Sequence, residues 1–133
     1  MTRKSARDLA FKLLYQADIQ KESYNVIFDI ANEENNIDDN SKKYILNVLN
    51  GVENHSDEIE DIITKKSEGW KINRISKISL ACLKLGIFEL MFSDEIPDTV
   101  AINESVNIAK IYEGEESAKF VNGILSVVLK EKA

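Results

Sequence analysis

Arg3, Lys4 and Arg7 share one short segment with Phe11 and Tyr15, a combination of residue types with a definite chemical use. Cations neutralise phosphates and aromatic faces stack on bases, so a strip that interleaves the two suits single-stranded nucleic acid. Spacing brings them together. Ala6, Leu9, Ala10, Leu13, Leu14 and Ala17 recur with helical periodicity as an apolar face, and Lys4, Arg7, Phe11 and Tyr15 then fall on one flank with Arg3 close by. The cations also break a local rule. The first turn of a helix favours anions by about 0.3–1 kcal/mol each, and like charges at i, i+4, as in Arg3 and Arg7, cost about 0.2–0.5 kcal/mol. Rules broken without a visible structural gain tend to mark function. The same residues also fit solvated terminal charges, with Phe11 and Tyr15 widening the packed face, and both readings stand at this point.

No other set of residues points to catalysis. His55, the one histidine, precedes a helical segment and has no Ser or Cys partner at motif spacing, so it reads as a surface residue. Cys82, the one cysteine, lies on an apolar face and reads as a small buried hydrophobe; a lone cysteine forms no internal disulfide and suits a reducing cytosol. Glu89 reads as a satisfied buried carboxylate. The acidic clusters lack the spacing of a calcium loop, and the glycines match no phosphate-binding or dinucleotide fingerprint. The expectation is a protein without catalysis, cofactor or metal. No apolar run approaches the roughly 18 residues of a membrane span, and the first residues have no signal-peptide stretch, so a cytoplasmic location without membrane contact is expected.

The 133 residues carry a net charge of −6, which by itself speaks against nucleic acid. Its distribution says otherwise. Residues 1–21 balance at +3, residues 22–70 at −8 and residues 71–133 at −1, so the acidity belongs mostly to one segment. Such asymmetry points to local interaction surfaces.

The elements that position these residues are helical. One proline and five scattered glycines leave too little turn chemistry for a sandwich or barrel. After the first helix, a second follows Ser23 and ends in the polar stretch 35–40. A third runs from about Ser41 to Val52, and a fourth from a Ser56 cap to near Gly69. A fifth, about Ile72 to Phe92, is apolar nearly all round and therefore central. Pro97 opens a sixth helix that ends near Tyr112, and Ser117 caps a seventh that runs to about Lys130. The fold class is all-α, with about seven helices and short connections.

Several blocks, in this order, resemble the bacterial NusB family of transcription antitermination proteins. They are Arg3-Lys4-Ser5-Ala6-Arg7-Asp8-Leu9-Ala10 with Leu14-Tyr15, then Trp70 with the run from Ile78 to Leu90. Ile96-Pro97, Val100 to Val106 and Ala109-Lys110 follow, then Lys119-Phe120-Val121-Asn122-Gly123-Ile124-Leu125. The resemblance spans nearly the whole chain. It implies one domain over 1–133 made of two small antiparallel bundles, about 1–70 and 71–133, around a buried central helix. It also implies binding of boxA in single-stranded nascent RNA, jointly with the small-subunit ribosomal protein that acts as NusE. The pair would join an RNA polymerase antitermination complex that reads through ribosomal RNA operons. The RNA-binding residues it points to are Arg3, Lys4, Arg7, Tyr15, Lys119 and Phe120. Ser5 stands where many members carry another Arg, and Ser79 where relatives carry an acidic residue. Some members form a homodimer, which leaves monomer and dimer both open. A helix N-terminus near Lys119 would add free N–H groups for an anion. Phe120 reads equally as core or as a stacking face, while Asn103 and Glu104 read as packing residues. Gly123 reads as a close approach of another element or of a ligand. The alternative function is an adaptor whose acidic middle segment holds a basic protein partner, with RNA contact incidental.

Overall fold

Four of the helices start where a side chain satisfies a free backbone N–H group of the first turn. In a computed structural model, which describes residues 1–67 and 71–132, α1 spans Arg3–Gln20 behind a Thr2–Ser5 capping box. The Thr2 hydroxyl accepts from the Ser5 amide at 3.0 Å, and the Ser5 hydroxyl accepts from the Thr2 amide at 3.0 Å. Ser23 caps α2 (Tyr24–Glu34), and Asp38 caps α3 (Asp39–Asn54). The chain then passes through His55 alone into α4 (Ser56–Lys66). Ser56 is therefore the first residue of α4 and not its cap. Gly69 and Trp70, expected at the end of this helix and beside the central one, lie outside the described residues, as does the expected bundle boundary at residue 70.

The central helix begins later than periodicity suggests. Ile72–Arg74 make a single 3-10 turn, and Ser76 caps α5 (Lys77–Phe92) by accepting from the Ser79 amide at 3.0 Å. Pro97 occupies the cap position before α6 (Asp98–Glu113) and not its first turn. Gly114, at φ 107°, turns the chain straight into α7 (Glu115–Lys132). No side chain at 114 is needed, but a positive φ is, which makes glycine the fitting residue. Ser117 therefore lies inside α7, buried, and does not cap it.

The fold is all-α with seven α-helices among the described residues. Every residue of α5 from Ser79 to Leu90 is buried except the half-buried Lys84, because α1, α3, α4, α6 and α7 all pack on it. Two glycines permit this. A methyl at Gly51 of α3 would collide with the Phe88 ring of α5, and one at Gly86 would come within 2.7 Å of Leu125 and 2.9 Å of Ser105. Gly123, expected at a close approach, has nothing within 4 Å of such a methyl; it faces open space.

Candidate nucleic-acid interface

The capping box fixes the first turn of α1, and with it the directions of Arg3 and Lys4, which are both exposed. Ser5 thereby has a structural use at the position where it thins the basic arm. The Arg3 guanidinium lies over the Tyr44 ring of α3, 4.4 Å from its centroid.

Arg7 is not on the exposed flank expected for it. It is 3% exposed, and Nε and Nη2 donate to the two carboxylate oxygens of Glu89 at 3.0 and 3.1 Å. Glu89 is fully buried and also accepts from the Tyr44 hydroxyl at 3.1 Å. The reason is tertiary. The flank that a lone helix would leave in water is closed over by α3 and α5, and a buried guanidinium persists there because a carboxylate meets both ends of its fork. Burial works against the charged Arg7, yet the Glu89 hydrogen bonds and charge outweigh it and hold its pKa above the ordinary value. Burial first and the Glu89 charge second push the Tyr44 phenol upward, so it remains a donor. Glu104, half-buried on α6, adds to the field at Arg7, whereas Asn103 is exposed and does not pack.

Further along α1, Phe11 is buried and belongs to the core, while Tyr15 is half-buried beside it with ring centroids 6.4 Å apart. Phe11 also meets Tyr112 of α6 at 5.1 Å. The Tyr112 hydroxyl donates to Asp8 at 2.8 Å, and Lys12 pairs with the same carboxylate at 3.1 Å. Lys12 and the exposed Tyr112 thus extend the cation and aromatic surface from α1 onto α6. Helical periodicity within one segment carries no sign of this junction, which only the packing of distant elements creates.

Lys119 is exposed on α7 and Phe120 is half-buried. Because α7 starts at Glu115, both stand in its second turn, past the free N–H groups, and Glu115 and Glu116 occupy the first turn instead. Lys119 therefore lies beyond the expected anion cradle and is an exposed charge in the second turn. Phe120 lines a notch of about 400 Å³ with Ser76, Ser79, Glu113 and Ser117. There the Glu113 carboxylate accepts from Ser76 at 2.7 Å and Ser79 at 3.0 Å, and the Ser79 and Ser117 hydroxyls lie 2.7 Å apart.

Cys82 and His55 are engaged within the fold. Cys82 is buried, and burial with the Glu113 charge pushes its thiol up to about 12. His55 stacks on Phe92 at 3.8 Å and meets Glu58 at 3.0 Å. Among the described residues no cluster of His, Cys, Asp or Glu has a geometry for a metal ion, and no helix is long and apolar enough to cross a membrane.

Comparison with known proteins gives this surface its context. The sequence model of the NusB family matches residues 4–130. The transcription antitermination protein NusB of Acetivibrio thermocellus is 48% identical over 132 residues, covering 99% of this chain and 91% of that protein. Among solved structures, T. maritima NusB superposes with a TM-score of 0.93 at 34% identity, covering 100% of this chain and 94% of the other. A crystal structure of antitermination factors NusB and NusE in complex with dsRNA matches with a TM-score of 0.89 at 33% identity, covering 97% and 96%. The family match and the relatives both extend over nearly the full chain; the protein belongs to the NusB family.

Proposed function

We propose that the chain is a non-catalytic, cytoplasmic transcription antitermination factor. It binds boxA in single-stranded nascent RNA jointly with the ribosomal protein acting as NusE. The pair joins RNA polymerase and promotes read-through in ribosomal RNA operons. One observation carries the reading: the likeness along the full chain to proteins named for transcription antitermination, one of them solved with NusE and dsRNA. The exposed surface has the chemistry this needs. Arg3, Lys4 and Lys119 offer charge to phosphates, and Tyr15 and Phe120 offer part of a ring face each. Arg7 holds α1 against α3 and α5 so that Arg3 and Lys4 are presented in fixed positions. The division into bundles of about 1–70 and 71–133 belongs to the same reading, with α5 as the helix both share.

A gel shift with boxA and scrambled RNA, with and without the ribosomal protein, tests it. Tighter binding of boxA, with a preference that grows when the partner is present, is expected. Equal binding of both RNAs in the presence of the partner overturns the reading.

A further inference from the structure

Beside Arg3, α3 and the end of α5 enclose a cleft of about 430 Å³. Its lining includes Arg3, Asn40, Lys43, Tyr44, Asn47 and Asn50. The four α3 polar residues 40, 43, 47 and 50 follow one another at helical spacing and so project from one face. Among the described residues, the three amides and the Lys43 ammonium form no side-chain hydrogen bond or ion pair. They are polar groups assembled in a concavity without a structural task.

We propose that this cleft receives one further nucleotide of single-stranded RNA, adjoining the segment bound along α1. The inference rests on the RNA-binding reading above and extends it to a surface outside the basic strip. Three properties favour RNA. A carboxamide offers a donor and an acceptor side by side, as the edge of an unpaired base requires. Arg3 already rests one face of its guanidinium on Tyr44, which leaves the other as a platform for a base. The charges around the cleft also favour an anion: Arg3 and Lys43 face one open carboxylate, Glu95, because Glu89 on the floor is saturated by Arg7 and Tyr44. The volume lies within the ~300–1,000 Å³ of clefts that hold small ligands. Arg3 belongs to both surfaces, so the cleft adjoins the α1 strip.

The test uses the full chain and two RNAs: a boxA core, and the same core extended by a few uridines at either end. Anisotropy titrations compare the unmodified protein with N47A/N50A, K43Q and K4A. The N47A/N50A pair is expected to weaken the extended RNA roughly 3–10-fold, the scale of one or two net hydrogen bonds, and to leave the core unchanged. K43Q should flatten the salt dependence of the extended RNA by about 0.7 in log–log slope, one phosphate of a single strand. A 4-thiouridine in the extension should crosslink to the α3 segment. Unchanged affinity and salt slope for the extended RNA in both cleft variants, with K4A still weakening the core, overturns the cleft alone. Loss of ribosomal-protein capture in N47A/N50A with RNA affinity intact also overturns it and assigns the cleft to a protein. If K4A leaves the core unaffected as well, the underlying RNA reading of α1 falls. All four side chains are exposed, so unaltered thermal melting of the variants is expected.

Discussion

Arg7 of α1 and Glu89 of α5, 82 residues apart in the chain, form a bidentate ion pair in the interior, with both side chains at most 3% exposed. Tyr44 of α3 completes the arrangement, so one carboxylate joins three helices. Removing one member leaves a buried charge without its partner, which costs about 3–5 kcal/mol. R7A and E89Q should each lower the urea midpoint accordingly. Replacing both by apolar residues, as in R7M/E89L, should cost less than the two single changes together, because no charge is stranded. Additive losses in that double-mutant cycle would show that the pair does not act as a unit.

The same geometry separates the arginines by exposure. Arg3 is exposed and Arg7 is buried, although the two are one turn apart on the same helix. R3A with K4A should leave unfolding nearly unchanged and weaken RNA binding. Its salt dependence should flatten by about 0.7 for each phosphate that is no longer neutralised. R7A should act first on stability. An RNA affinity that falls equally in both variants, with equal unfolding midpoints, would place Arg7 on the RNA after all.

Why Arg7 deceives a reader of the sequence is physical. Helical periodicity ranks positions by their angle to one apolar face, and that places the core residues Ala6, Ala10, Leu13, Leu14 and Ala17 correctly. It says nothing about a second element closing over the flank, and the partner carboxylate lies far away in the chain. The apolar wrap of α5 made its central place legible, since no single neighbour covers a helix on every side. Ser56 and Ser117 resembled caps because cap chemistry is local, whereas His55 and Gly114 join two helices each through one residue. Lys119 was legible as an exposed charge, but its distance from the helix start depended on where Gly114 bends the chain. Lys12 and Tyr112 meet only through the packing of α1 on α6.

Glycine substitutions test the packing of α5 directly. G86A must push against Leu125 and Ser105 and should cost about 1–3 kcal/mol, the usual range for overpacking. G51A should destabilise as well, since the buried Phe88 ring has to leave its place. G123A meets nothing and should gain about 0.5–1 kcal/mol by stiffening the unfolded chain. Thermal melts of the three variants give the ranking, and a destabilised G123A would show that position 123 packs in solution.

Glu113 supplies a pH signature. Burial raises its pKa, but hydroxyl hydrogen bonds from Ser76, Ser117 and Ser79 more than offset this and hold it below the ordinary 4.5. A carboxyl with a depressed folded pKa stabilises the fold above its unfolded value and loses that contribution as pH falls through the folded one. The gap in melting temperature between the unmodified chain and E113Q should therefore be full at neutral pH and close below about pH 4.5. S76A should raise the Glu113 pKa, read by NMR titration. A gap that stays constant into acid would remove the three-hydroxyl account.

Stacking and charge make different demands on the proposed RNA surface, and Tyr15 separates them. Its ring is half-buried against Phe11, so the remaining face is held still before any base arrives and little entropy is lost on binding. Stacking of one base on such a ring contributes about 1–3 kcal/mol, and it is insensitive to salt because no counterion is released. Y15A should lower RNA affinity by that amount at every ionic strength, leaving the slope of log K against log salt unchanged. Y15F keeps the ring and should bind nearly as the unmodified chain does. K119A should do the reverse, weakening binding most at low salt and flattening the slope. If Y15A and K119A alter the slope alike, Tyr15 acts by positioning a cation and not by holding a base.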